Sequence, residues 1–318
     1  MKKIMICSML LLLTGCQSIN EVRNTDRMNH NVAVSNPIEE TVTYTANEWT
    51  ALQEELEQLE RTDEWWYSVD SFNAGYLTSM GIGFADGMLY IEDISTEESK
   101  KAIEMIGGKL GKEFEEFIKN ASEEMEPEEI KETIIGTYGV VLQKVKDSTY
   151  ERVELYLCKS SLMLKDEKEQ AWLQEVRGND ILLSAVSQGA EGRLLELSTP
   201  TYLMSDSIYR PQNISIYYQI FKENYGDVRN IRMVLKQGEH VEGKIPENQV
   251  AVLQRLVSSA SGEEVEVSEL CEAVESKLSG GNSKNKGTVG KLSYSITKES
   301  NSAGQGNIVI VEFDRNEK

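Results

Sequence analysis

The sequence predicts an α+β fold of antiparallel hairpins with grouped helices, and three features carry that prediction. Alternating apolar runs occur in close pairs around turn residues such as Asp86-Gly87, which is the spacing of hairpins and not of parallel strands joined by helices. Helical stripes follow one another in separate groups. The order strand, strand, helix, helix, strand, strand is read over 75–158 and again over 214–313. Two similar ββααββ units or two unrelated α+β units both satisfy it, since no residue-level identity links the stretches. A length of 318 residues also favours two folding units. With 40% hydrophobic residues the chain can build cores, and its five prolines exclude a collagen-like or proline-rich architecture. A net charge of −20 repels phosphate backbones and anionic surfaces, so nucleic acid is excluded as a partner.

The chain opens with Lys2 and Lys3, continues with an apolar run from Ile4 to Leu13 and reaches Thr14-Gly15-Cys16. About ten residues at a ~1.5 Å rise cover only half of a ~30 Å hydrocarbon core, which suits a signal peptide and not a spanning helix. Leu13-Thr14-Gly15-Cys16 resembles the lipobox of bacterial lipoproteins. That resemblance is confined to residues 1–16. It implies cleavage before Cys16, a diacylglycerol thioether on its thiol, and a protein held by acyl chains on the extracytoplasmic face of the cell membrane. Gln17 after the cysteine implies outward sorting where the source has two membranes.

Residues 16–45 read as the lipidated cysteine and a flexible tether, rich in Asn, Ser, Thr and Glu, with an end-to-end distance of roughly 30 Å as a coil. Thr45-Ala46-Asn47-Glu48 matches a capping box, and Trp49, Leu52, Leu56 and Leu59 make the next segment an amphipathic helix. Strands are expected over 76–84 and 88–94. Ser95-Thr96-Glu97-Glu98 starts a helical region whose stripe includes Ala102, Ile106, Phe114 and Ile118, with a break at Gly107-Gly108. Pro127 begins a short helix through Ile130 and Ile134 that ends near Gly136. Hairpin strands follow over 140–146 and 152–158, then a helix over 166–176 and a second hairpin over 181–187 and 193–197. The last third reads as strands 214–221 and 231–235, helices 246–258 and 268–278, a Gly/Ser/Asn/Lys loop over 279–287, and strands 291–297 and 308–313. The expected divisions are 1–15 signal peptide, 16–45 tether, 46–206 N-terminal α+β domain and 207–318 C-terminal α+β domain.

Chemistry is scarce. After loss of Cys7 and lipidation of Cys16, only Cys158 and Cys271 remain; they read as small buried hydrophobes, with a disulfide as the alternative. His30 lies in the tether and His240 has no nucleophile motif nearby. HExxH, P-loop, EF-hand and GxSxG patterns are absent, and 81–87 lacks the third spaced glycine of a dinucleotide fingerprint. No catalytic residue, metal ligand or cofactor is therefore assigned. Glu123, Glu124, Glu126, Glu128 and Glu129 read as a solvated helix junction, with divalent-cation binding as the sharper alternative. Trp65-Trp66-Tyr67 reads as partly core, with sugar stacking as the alternative. The resulting expectation is a lipid-anchored envelope protein that binds another envelope protein without catalysis. Solute or glycan binding and a carboxylate-dependent wall hydrolase stand as alternatives, the last requiring two acids across a cleft.

Overall fold

A computed structural model describes residues 66–69, 74–77, 82–85, 88–146, 150–159, 164, 166–189, 192–203, 214–223, 227–238, 243–300 and 307–315. The signal segment, the tether and the amphipathic helix expected after Thr45 lie outside the described residues, as do Cys16, His30 and His240.

Two seven-stranded antiparallel sheets carry the molecule, which is an α+β protein. In the first, β1 (Trp66–Val69), β2 (Ala74–Leu77), β3 (Ile82–Ala85) and β4 (Met88–Ile91) form a meander. Helices α1 (Glu97–Leu110) and α2 (Lys112–Glu124) follow, and β5 (Ile130–Ile135), β6 (Tyr138–Lys146) and β7 (Glu151–Lys159) complete the order β1-β2-β3-β4-β7-β6-β5. Alternation along the strands and the helical stripe meet in one core, where Leu89, Val140, Leu142, Leu155 and Leu157 pack on Ala102, Ile106, Phe114 and Ile118.

Several elements differ from expectation. The 76–84 run is two strands: β2 folds back on β3 with Gly75 opposite Phe84, and β3 pairs in turn with β4, Ala85 opposite Met88. Thr96 caps α1 by accepting the Ser99 N–H at 3.1 Å. Thr96→Ala is expected to cost this unit about 1 kcal/mol, read as a lower urea midpoint. The helix does not break at Gly107-Gly108 but stops at Gly111, whose φ of 86° disfavours any side chain. Gly107 is buried, and a Cβ there would lie 2.9 Å from Glu115 Cγ, so this glycine serves the close approach of α2.

The helix expected from Pro127 is instead the strand β5. Residues four apart share a face in a strand as well as in a helix, so Ile130 and Ile134 fitted both periods. The β-branched content of 130–135 and an available partner in β6 decide for the strand. Glu128, at φ 67°, turns the chain into it; its N–H donates to Lys144 O at 2.7 Å, and the Lys144 N–H donates to Glu129 O at 3.0 Å, extending the ladder.

The second unit begins with α3 (Glu167–Arg177), then β8 (Leu182–Gln188), β9 (Arg193–Ser198), the short α4 (Pro200–Leu203), β10 (Ile214–Lys222) and β11 (Val228–Gln237). Helices α5 (Glu247–Ser261) and α6 (Ser268–Leu278) precede β12 (Lys286–Val289), β13 (Leu292–Ser300) and β14 (Asn307–Arg315), in the order β12-β13-β14-β11-β10-β9-β8. The expected loop over 279–287 thus yields its end to β12. Both sheets share one connectivity: four-stranded meander, two helices, then a three-stranded meander whose last strand pairs with the fourth. They also share a turn. Gly136 at φ 62° and Gly290 at φ 55° each open a two-residue connection, closing Ile135 opposite Tyr138 and Val289 opposite Leu292.

Because β8 and β9 belong to the second sheet and Leu164, Leu173 and Val176 join its core, the sheets divide between β7 and α3 and not at 206/207. Thr199-Pro200 marks a break in the sequence, whereas 160–165 contains neither glycine nor proline.

Candidate functional site

Three arrangements of polar residues are built by the fold. The most buried joins α3 to its sheet. Arg193 and Lys222 sit directly opposite each other on β9 and β10, and like charges at that spacing repel. Glu169 on α3 enters between them: its Oε2 is 3.2 Å from Arg193 Nη1 and its Oε1 3.8 Å from Lys222 Nζ. All three residues are at most 3% exposed. The Trp172 ring covers Lys222 Nζ at 3.8 Å, while its Nε1 donates to Ser259 Oγ at 2.6 Å. Burial lowers the Lys222 pKa from its ordinary value, and Glu169 opposes that shift. Arg255 Nε donates to Val176 O at 2.8 Å and its Nη2 reaches Asp180 Oδ2 at 3.1 Å, fixing the other end of α3 to α5. Such a closed cluster holds a helix in place.

A second group lies on the first sheet, on the face turned away from α1 and α2. Arg152 meets Glu92 Oε1 at 2.7 Å and Glu154 Oε1 at 2.6 Å, and Tyr156 donates its hydroxyl to Glu154 Oε2 at 2.6 Å. Burial opposes the Arg152 charge, but the two carboxylates hold it firmly protonated. Tyr150, the large apolar side chain most exposed among the described residues, lies 4.8 Å from the Arg152 guanidinium.

The third is the joint between the units. Ile134, Val141, Tyr156 and Cys158 of the first sheet meet Leu182 of β8 and Leu203 of α4. The approach is close at Gly139, where a Cβ would lie 2.7 Å from Cys158 Sγ and 2.9 Å from Pro200 Cβ. Thr199 secures α4 to β10 through its N–H, donated to Ile216 O at 2.9 Å, and its Oγ1, which accepts the Ile216 N–H at 3.1 Å. Tyr202 stacks on Tyr217 at 4.9 Å and lies beneath Lys236. The Thr201 N–H donates to Glu132 Oε2 at 2.9 Å, which ties α4 to β5.

The residues singled out in the sequence are not brought together. Trp66 and Tyr67 lie in β1. Glu123 and Glu124 end α2, Glu124 pairs with Lys131 at 3.6 Å, and Glu129 Oε2 accepts the Glu126 N–H at 2.7 Å, so these acids brace a junction. Among the described residues no group of three or more His, Cys, Asp or Glu side chains is arranged to hold a metal ion. Cys158 and Cys271 are free thiols, buried in different clusters. Burial pushes the Cys158 thiol up to about 12 and the Cys271 thiol up to about 11, far from a reactive range.

Sequence reasoning missed Glu169, Arg193 and Lys222. A signal was present, because each falls in the phase of an apolar face: Arg193 with Leu195 and Leu197, Lys222 with Ile216, Tyr218 and Ile220, and Glu169 with Leu173 and Val176. Comparison with known proteins finds no matching family model, no matching curated relative and no matching solved structure.

Proposed function

We propose that this chain is a lipid-anchored extracytoplasmic envelope protein that works as a non-catalytic interaction or assembly module. One observation carries the anchoring: the basic start Lys2-Lys3, the short apolar run and Leu13-Thr14-Gly15-Cys16 occur together in the order that lipoprotein processing requires. Two acyl chains on Cys16 hold a protein without help from a basic patch, since each buried methylene contributes about 0.8 kcal/mol. An acidic body on a tether then stands off an anionic surface. Among the described residues no helix is long and apolar enough to cross a membrane.

The interaction reading is supported by the polar groups themselves, which hold α3, pin Arg152 and join the units. The partner is another envelope protein; the reading requires no cofactor and no nucleic acid. Solute capture by doubly wound lobes is disfavoured by sheets that are antiparallel throughout their described pairs.

Cys16→Ser is expected to leave the precursor unprocessed or to release unlipidated protein, scored by metabolic fatty-acid labelling and detergent-phase partitioning. An unchanged labelled product in the detergent phase overturns the anchoring. In-cell crosslinking against an anchored control lacking 46–318 is expected to capture an envelope protein with the full chain alone; equal capture by the control overturns the interaction reading.

A further inference from the structure

We infer that the β12 edge of the second sheet is a docking site for an extended acidic segment of a partner protein, which adds to the sheet as a further strand. The inference rests on the interaction reading and names a surface and a partner chemistry for it.

Charge marks the place. Residues 276–298 hold Lys277, Lys284, Lys286, Lys291 and Lys298 and no Asp or Glu, in a chain with 53 acids against 33 bases. The fold gathers the last four about one hairpin. Lys286 opens β12, and Lys291 sits in the two-residue turn to β13. The Ile296 N–H donates to Asn285 O at 2.7 Å; Lys284 lies just before that bond and Lys298 two residues after it, at the same end of the hairpin. All four lysines are exposed. Among the described residues only Lys291 of the four meets a carboxylate, that of Glu263 at 4.0 Å. Glu299 follows Lys298 in the chain, and Glu312, opposite Ser295 on β14, is drawn to Arg232 at 3.9 Å. Exposed charges more than about 8 Å away are largely screened at physiological ionic strength, so these lysines, and not the net −20, set the field at the edge.

The backbone is open there as well. Among the described strands β12 pairs with β13 alone. The two-residue turn makes Val289 and Leu292 a hydrogen-bonded pair, and the bond at Asn285 keeps the same phase. Asn285, Gly287 and Val289 therefore turn their N–H and C=O groups inward, while Lys286 and Thr288 turn theirs off the sheet. Both of these residues are exposed. Other strand ends are less open: β8 bulges between Leu183 and Ala185, and β5 has α4 held against it. A strand laid about 4.8 Å outside β12 meets the free amides and carbonyls, which only another peptide backbone matches in repeat.

Side chains on the edge alternate. Val289 joins the helix-side core, and Gly287 leaves room for the Tyr294 ring that lies against it. Lys286 and Thr288 stand on the opposite face beside Ser295 and Ser293. An added strand thus meets lysine on one face and Tyr294 with Val289 on the other, which fits acids alternating with apolar residues. Lysine on an edge strand ordinarily guards against indiscriminate pairing. An acidic strand is the kind that such a guard attracts, since opposite charges across a strand pair are favourable.

Fluorescence anisotropy of a labelled peptide alternating glutamate and valine, titrated with the full chain in neutral detergent, tests this. Saturable binding that weakens as salt rises is expected. The double variant Lys284→Glu, Lys286→Glu should weaken it about tenfold or more, because the acids then face acids. Thr288→Pro keeps every lysine and removes an amide that the β12–β13 ladder does not use, and it should also weaken binding about tenfold or more. Both changes fall on exposed positions, and unchanged thermal unfolding checks that the fold is kept. Wild-type affinity in Thr288→Pro would assign the patch to polyanions by charge alone and overturn the inference. Wild-type affinity in the lysine variant, or equal binding of a peptide with lysine in place of glutamate, overturns it too. So does the absence of binding to wild type; if in-cell crosslinking still captures an envelope protein, the interaction reading then stands without this edge. Peptide binding together with equal in-cell capture by the anchored control supports the edge and fails that reading.

Discussion

Glu169→Ala is expected to cost the second unit about 3–5 kcal/mol, because it leaves two cations buried against each other without their shared carboxylate. Arg193 and Lys222 are cross-strand neighbours, at 1% and 3% exposure, so neither can turn to water without dragging a strand end with it. Glu169→Gln should cost nearly as much, since the amide keeps the shape and loses the charge. The decisive comparison is the triple variant Glu169→Leu, Arg193→Leu, Lys222→Met. Removing a whole buried ion group in favour of apolar residues is often close to neutral, while removing one member is not. Urea unfolding followed by tryptophan fluorescence provides the measurement, with Trp172 directly over Lys222 as a local reporter. A single variant that loses less than about 1 kcal/mol would show that the cluster holds nothing in place.

The same cluster shows how much of the molecule was legible. The strand pairs over 140–158, 181–197 and 214–235, the helix start at Ser95-Thr96-Glu97-Glu98 and the paired helices of the second unit are local signals, and the structure places elements where those signals fall, with Thr96 and not Ser95 as the cap of α1. Failures arose where one pattern serves two geometries. Ile130 and Ile134 share a face in a helix or a strand, and only β6 beside them decides. A glycine pair reads as a break until α2 is known to press on Gly107.

The joint was out of reach because its contacts are distant in sequence: Thr201 meets Glu132 across 69 positions. One consequence of it was nonetheless written in the residues. Matching the two sheets at Gly136 and Gly290 and following the strand register sets Ile134, Gly139 and Val141 against Thr288, Ser293 and Ser295. It also sets Tyr156 and Cys158 against Glu312 and Asp314. The face that is apolar in the first sheet, where β8 and α4 cover it, is polar at the corresponding positions of the second. Two halves with one connectivity therefore diverge in sequence at the positions that β8 and α4 cover in the first, while α4 reaches the same face of the second at Tyr217.

Phe114→Ala puts the independence of the halves to the test. Phe114 is fully buried on α2 in the first core, and that core shares no residue with the larger one of the second unit. Truncating a buried phenylalanine removes its transfer free energy and leaves a cavity, together about 3–5 kcal/mol, a large part of the stability of a unit this size. If each sheet and its helices form one cooperative unit, the loss should fall on the first alone. Amide protection over 88–159 should drop, while that of α5 and α6 keeps its wild-type value. Coupling through α4 sets the limit of that independence. The joint consists of a few apolar side chains and one carboxyl contact, against two full helix-on-sheet cores, so it should transmit only a small fraction of the loss. Equal loss of protection in both units would mean that the joint, and not the cores, sets the cooperative unit, and that the chain unfolds as one body.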